Sequence, residues 1–157
     1  KDEGAIEDGE KNLILNVFNF NDIEVSQIMT KKEDMVMIDI NGDTKENLKI
    51  IKKGKYTRIP IYENNKDNVI GILNVKELII NYKKTSKINL RDIMFKPYFV
   101  NEKEKIDDMF RDMQETRNLV AIVKNNENLV VGLVTIEDAI EEIFGNIYDE
   151  YDYEEKD

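Results

Sequence analysis

The spacing of apolar positions changes several times along the chain, and each change predicts an element. Leu13, Ile14, Val17, Phe18 and Phe20 give a short amphipathic helix over 10–20. Met35-Val36-Met37-Ile38 reads as a short strand. Asp43-Thr44-Lys45-Glu46 supplies a cap and an early Glu, so a helix starts there with Leu48 and Ile51 inward, and Gly54 ends it. Arg58 to Tyr62 is a strand, Asn64-Asn65 a turn, and Asn68 to Leu73 a second strand. Val75, Leu78, Ile79 and Tyr82 fall at i, i+3, i+4 and i+7, a helix with one apolar face.

The same order then recurs. Tyr98-Phe99-Val100 is a strand, and Ile106, Met109, Phe110 and Met113 make a helix face. Leu119 to Val123 and Leu129 to Val134 are strands, and Ile136, Ala139, Ile140, Ile143 and Phe144 form the last helix face. Gly132-Leu133-Val134-Thr135-Ile136-Glu137-Asp138 has a degenerate twin, Gly71-Ile72-Leu73-Asn74-Val75-Lys76-Glu77, sixty-one residues upstream. That offset also lays Ile59-Pro60-Ile61-Tyr62 on Val120-Ala121-Ile122-Val123 and Asn64-Asn65 on Asn125-Asn126, without a gap. A self-match at one offset is one supersecondary unit used twice. Val25-Ser26-Gln27-Ile28-Met29 resembles Leu90-Arg91-Asp92-Ile93-Met94, and each leads into a repeat.

The predicted organisation is therefore an acidic segment and lead-in helix over 1–24, a first repeat over 25–84, a second over 85–148, and an acidic tail over 149–157. Each repeat is strand, helix, strand, strand, helix, an α+β arrangement. One such unit has too little core to be comfortable alone, whereas two can pack their sheets into one pseudo-symmetric body.

Composition narrows the function. The 157 residues are 41% apolar and 36% charged, a globular balance. The net charge of −10 argues against DNA or RNA, which need a clustered basic face. A small polyanion stays compatible, because a local Arg or a helix N-terminus can hold phosphate on an acidic protein. With no Cys there is no disulfide or thiolate chemistry, and with no His the commonest general base and metal ligand are missing. No apolar run approaches the ~18–20 residues of a membrane span. The start, Lys1-Asp2-Glu3-Gly4, is charged and unlike a signal peptide; with no initiator Met and acidic ends, the chain reads as a piece of something longer.

Gly-x-x-Thr-x-x-Asp at a strand-to-helix junction supports two chemistries. Thr135 followed by Asp138 is close to a capping box, and Asn74 with Glu77 would serve likewise in the first copy. The same residues suit a ligand: an Asp at a helix N-terminus can accept from two ribose hydroxyls, and a Thr hydroxyl can reach sugar or phosphate. The residues alone leave both open. Arg58 heads an apolar strand in Tyr56-Thr57-Arg58-Ile59-Pro60-Ile61, either as a surface Arg over the sheet or as a phosphate clamp. Glu137-Asp138 and Glu141-Glu142 read as a solvated helix flank rather than a catalytic pair. The tail Tyr148-Asp149-Glu150-Tyr151-Asp152 lacks the spacing and turn Gly of a calcium loop. The Met residues fall at helical spacing and read as core.

These residues resemble the CBS domain pair, or Bateman module, and more specifically the CorC/HlyC-type proteins, bacterial relatives of the cyclin-M magnesium transporters often labelled hemolysins. The resemblance covers about residues 10–152 and rests on Ile28-Met29-Thr30, Tyr56-Thr57-Arg58-Ile59-Pro60-Ile61, Val120-Ala121-Ile122-Val123 and the run from Gly132 to Ile147. It implies a cytoplasmic regulatory module, not an enzyme, that follows a membrane-embedded domain and forms a disc-like homodimer through its helices. It implies an adenine nucleotide between the repeats, ATP with magnesium or AMP. By motif, Thr135 and Asp138 would hold ribose and nearby phosphate, Thr30 and Arg58 would contact phosphates with Thr57 beside them, and Phe99 and Val100 would line the base. No metal-ligating or catalytic residue is implied. Three positions depart from the family pattern. Met29-Thr30-Lys31-Lys32 lacks the usual Pro, Leu119 replaces a His, and Asn74 and Glu77 leave no second nucleotide site in the first repeat. The rival implication is a structural dimerisation module with a vestigial, empty site.

Overall fold

The computed structural model describes residues 22–84, 88–142 and 144. The helix predicted over 10–20 and the acidic tail lie outside them. Each repeat builds a small sheet with a helix laid over one face. In the first, β2 (Ile38–Asp39) runs parallel to β3 (Arg58–Glu63), which pairs antiparallel with β4 (Asn65–Asn74). In the second, β5 (Phe99–Asn101) runs parallel to β6 (Val120–Lys124), which pairs antiparallel with β7 (Val130–Thr135).

The helices form where the apolar stripes lie. Asp43 caps α1 (Thr44–Lys52) by accepting from the Lys45 N–H at 3.1 Å, and Gly54, at φ 67°, closes it. Ile50 and Ile51 take the inward positions, and Leu48, expected inward, is exposed. In α2 (Val75–Lys84), Val75 and Leu78 reach the core, but Ile79 and Tyr82 are 52% and 66% exposed. A short α3 (Leu90–Ile93) leads into the second repeat, where Ile106, Met109 and Met113 are buried on α4 (Ile106–Thr116). Residues 136–142 form α5, with Ala139 buried and Ile140 exposed; Phe144, just beyond, is exposed too.

The gapless alignment fails by one residue. Ile59 pairs with Leu73 as Ala121 pairs with Val134, and Ile61 pairs with Gly71 as Val123 pairs with Gly132. The equivalent of Ile59 is therefore Ala121, not Val120. A one-residue slip would turn every side chain to the other face, so packing fixes the register. The surplus residue of the first hairpin is absorbed by a second irregularity near Tyr62.

The lead-in segments are exchanged. β1 (Thr30–Lys31), which opens the first repeat, pairs with β7 of the second. Phe95, which opens the second, bridges Ile72 on β4 of the first. Glycine makes both approaches fit: a Cβ on Gly132 would meet the Thr30 carbonyl oxygen and the Met29 thioether, and one on Gly71 would meet Met94. Val25 is wholly buried in the core of the second repeat, and its N–H donates to the Glu104 carbonyl at 2.9 Å.

Three apolar layers result. Ile38, Ile59, Ile61 and Leu73 pack under the helices of the first repeat; Val100, Met109, Val123 and Val134 pack under those of the second. Between the two sheets lie Met37, Val69, Ile72, Val120, Ile122 and Val130. Strands β3 and β6 read as nearly unbroken apolar runs because both their faces are covered.

Asp67 is the polar tie across this interface. From β4 it accepts from Lys32 Nζ at 2.7 Å and from the buried Val130 N–H at 3.0 Å. The Lys32 hydrogen bond, reinforced by that of Val130, holds its carboxyl below the ordinary carboxylate value despite partial desolvation. Asp67→Ala leaves the Val130 N–H without its partner, so a loss of ~1–3 kcal/mol is expected, a fall of roughly 3–10 °C in Tm. Because the folded pKa is depressed, the carboxylate's contribution is complete above its unfolded pKa and disappears as pH falls through the folded one. The gap between wild type and Asp67→Ala should therefore narrow in acid. A gap that stays constant in thermal melts from neutral pH to below the carboxylate range would refute this role.

Candidate functional site

β7 runs straight into α5, and the junction is held by reciprocal bonds. The Thr135 N–H donates to Asp138 Oδ2 at 2.9 Å, and the Asp138 N–H donates to Thr135 Oγ1 at 3.1 Å. This is a capping box with Asp in place of the usual Glu, so the structural reading of the motif is realised. It does not use Asp138 Oδ1 or the Thr135 hydroxyl proton, and these remain at a helix N-terminus where anions are favoured. In the first repeat the Asn74 side chain accepts from the Lys76 N–H, at 3.0 Å, two residues on.

Arg58 joins this junction from the other repeat. Its Nη1 lies 3.6 Å from Glu137 Oε2, with the two side chains 25% and 61% exposed. That ion pair is too long for a hydrogen bond and too exposed to lock the guanidinium. Thr30 arrives by the strand exchange. It pairs with Leu133, two residues before Thr135, so Thr30 and Thr135 share one face of the sheet. The structure thus brings Thr30, Arg58, Thr135 and Asp138 to one end of the inter-sheet face.

The remaining predicted residues sit differently. Phe99 belongs to the same cross-strand row, Thr30–Leu133–Ile122–Phe99, but on the far edge, two strands and therefore about 10 Å from β7. Phe99 is 40% exposed, and its ring carries Lys124 Nζ 4.2 Å from its centroid. The Val100 side chain points into the helix-side core, leaving only its backbone toward the row. Thr57 is exposed at the head of α2, where its carbonyl accepts from the Val75 N–H at 2.9 Å. Among the described residues, no cluster of three carboxylates stands ready for a metal ion.

Sequence reasoning missed a cavity of about 200 Å³ lined from both repeats. Its wall carries three cations, Arg58, Lys96 and Arg117, with the amides of Asn74 and Asn118 and an apolar floor that includes Ile72 and Phe95. The likeness of Met94-Phe95 to Met29-Thr30 was the signal for it, since both segments cross to the opposite sheet at equivalent places.

Doubled sheets, exchanged lead-ins and a Thr/Asp-capped helix facing an Arg from the partner repeat define a tandem, pseudo-symmetric module. The CBS domain pattern matches residues 25–84 and 90–145, and the chain belongs to the CBS-domain family. Its relatives are of the CorC/HlyC type. It is 30% identical over 152 residues to Hemolysin C of Brachyspira hyodysenteriae, covering 97% of this chain and 56% of that protein. It is 34% identical over 155 residues to the UPF0053 protein YhdP of Bacillus subtilis, covering 97% and 35%. The chain thus spans about a third to just over half of these two curated relatives.

The CBS domain of a bacterial CNNM/CorC family Mg2+ transporter superposes with a TM-score of 0.80 at 28% identity, covering 92% of this chain and 88% of that one. The same domain in complex with ATP gives 0.77 at 28% identity, covering 87% and 97%. A CBS-domain pair from Klebsiella pneumoniae with bound AMP gives 0.70 at 30% identity, covering 77% and 98%. The fold expected from the sequence, two strand-helix-strand-strand-helix units packed as one body, is the fold observed.

Proposed function

We propose that the chain is the cytoplasmic, non-catalytic regulatory module of a CorC/HlyC-type membrane ion transporter and that it binds an adenine nucleotide at the head of α5. The observation that carries this reading is Arg58 of the first repeat lying beside Glu137, within the capping box of the second. A carboxylate oxygen and a hydroxyl suit ribose, and a loosely held guanidinium beside a helix N-terminus suits phosphate. Thr30 adds a hydroxyl on the same face, and the Phe99 ring offers a surface for the base, with Thr57 and the Val100 backbone at the margins. The ATP and AMP complexes of similar domains support the ligand class.

The module acts as a homodimer in this reading, and binding biases it between two arrangements that a membrane domain of the full-length protein senses. The apolar positions exposed among the described residues, Ile79, Ile80 and Tyr82 on α2, Ile140 on α5 and Phe144 just beyond it, support that surface. A monomeric mass by light scattering at tens of micromolar, with and without ATP, would refute the dimer.

Calorimetric titration with ATP, ADP and AMP, each with and without magnesium, tests the site. The chain carries −10, so a bare triphosphate meets net repulsion that magnesium relieves. Magnesium should strengthen ATP binding more than AMP binding, and Arg58→Ala should weaken ATP more than AMP. Equal magnesium effects on both, with an Arg58→Ala loss that ignores phosphate number, would place the phosphates elsewhere. The second reading, a structural dimerisation module, is favoured by the cap, which satisfies Thr135 and Asp138 without a ligand. No heat with any of the three nucleotides would select it.

A further inference from the structure

We propose that the outward face of α1, with the turn after it, docks on an anionic lipid membrane surface. Charge along the chain is sorted by repeat. Residues 25–84 hold twelve Lys and Arg against eight Asp and Glu, a net +4, and residues 85–148 hold eight against twelve, a net −4. The overall −10 hides this basic half. Charge asymmetry between two halves of a chain points to a charged surface as partner.

The basic charge gathers on one helix. Lys45, Leu48, Lys49 and Lys52 fall at i, i+3, i+4 and i+7, so they share one face of α1. Ile50 and Ile51 pack into the first repeat's core from the other side. Lys53 and Lys55 continue the charge around Gly54, and all five lysines are exposed. Glu46 lies 3.3 Å from Lys49 in an exposed pair, which holds Lys49 only weakly. Among the described residues the other four Lys side chains make no ion pair.

Two apolar side chains stand in this basic stretch, Leu48 at 42% exposure and Tyr56 at 47%. Lysines reach lipid headgroups while a Leu and a Tyr ring rest at the edge of the acyl region, so the mixture suits a lipid surface.

The far side of the module has the opposite sign. α4 is the counterpart of α1 in the second repeat, and it sets Asp107, Asp108, Asp112 and Glu115 against Arg111. Glu104, just before α4, is held above its ordinary value by desolvation, then by the charges of Asp112 and Asp108. α1 and α4 cover the outer faces of two sheets packed face to face, so more than ~10 Å separates them. That exceeds the ~8 Å over which exposed charges act at physiological salt. A negatively charged plane can therefore meet α1 and leave α4 in water. A long, flexible nucleic acid reaches both ends, and the acidic one repels it. The transporter reading supplies only the nearness of a membrane; nothing here needs a bound nucleotide.

The test is co-sedimentation of the 157-residue chain with vesicles of phosphatidylcholine and phosphatidylglycerol in equal parts, against pure phosphatidylcholine. Binding is expected to the mixed vesicles alone, and it should fall steeply as salt rises. Lys49→Gln with Lys52→Gln removes two charges from the α1 face, and Lys103→Gln with Arg111→Gln removes two from the acidic repeat, all at exposed positions. Each Lys near an anionic surface strengthens binding roughly fivefold, so the first pair should weaken it ~tenfold or more and the second should leave it unchanged. The chain has no Trp, so Leu48→Trp places one fluorophore on the face. Its emission should shift to the blue on mixed vesicles, and that of Arg111→Trp should not. No binding, equal binding to both vesicles, equal losses for the two pairs, a Leu48→Trp emission that ignores vesicles, or tighter binding of polyuridylate RNA than of mixed vesicles would each overturn the proposal. So would a mass that grows at low salt in the wild type and not in the α1 pair, which would give this face to the acidic repeat of a second copy. If ATP binds and vesicles do not, this inference fails and the nucleotide reading stands.

Discussion

Gly132→Ala is expected to destabilise the fold by about 3 kcal/mol, at the upper end of overpacking effects, and to lower Tm by roughly 6–12 °C. The new Cβ would stand 2.5 Å from the Thr30 carbonyl oxygen and 2.6 Å from Met29 Sδ. A thioether can swing aside, but the carbonyl belongs to β1, whose Lys31 pairs directly with Gly132. Relief therefore means pulling β1 away from β7. That loosens the anchorage of the first repeat's lead-in and moves Thr30 off the face it shares with Thr135, so nucleotide affinity should fall with stability. Gly71→Ala is the internal control. Its Cβ would meet only Met94 side-chain atoms, with no backbone atom among its nearest neighbours, so it should cost distinctly less. Equal losses for the two variants in urea or thermal unfolding would mean that side-chain crowding, not the strand exchange, sets the requirement for glycine at 132.

The element order of both repeats was legible because their strands and helices bury one stripe or one run each, and such periods are local properties. What escaped the sequence depends on distant partners. The extra residue of the first hairpin is taken up in a bulge near Tyr62, and an alignment of letters cannot weigh a bulge against a gap. The exchange of lead-ins joins Thr30 to Leu133 and Phe95 to Ile72, contacts between segments far apart in the chain. Ile79 and Tyr82 continue the apolar stripe of α2, yet the stripe is wider than the surface the described residues offer to cover it. Arg117 gave no warning, since an Arg beyond a helix does not announce a left-handed residue. At the capped head of α5 the difficulty was different. Thr135 and Asp138 satisfy each other as a cap, and the same atoms that make the motif legible as a helix start also make it legible as a sugar clamp.

Asp138→Ala separates those two meanings. The variant loses the acceptor for the Thr135 N–H, so a cost of ~1 kcal/mol in stability is expected from the cap alone. If Asp138 also accepts from ribose hydroxyls, nucleotide affinity should fall by ~1.5–3 kcal/mol, roughly ten- to a hundredfold. Asp138→Asn divides the effects further. Its amide oxygen can still accept from the Thr135 N–H, so most of the stability should return. The charged acceptor that would face two hydroxyls is gone, so most of the lost affinity should not. Glu77→Ala, at the equivalent place in the first repeat, should leave nucleotide affinity near wild type, because Asn74 and Glu77 replace the Thr and Asp that the proposed site uses. Melting curves and calorimetric titrations of the three variants give the answer together. An Asp138→Ala protein that melts earlier but binds ATP as the wild type does would show that Asp138 only caps α5 and that the ribose lies elsewhere.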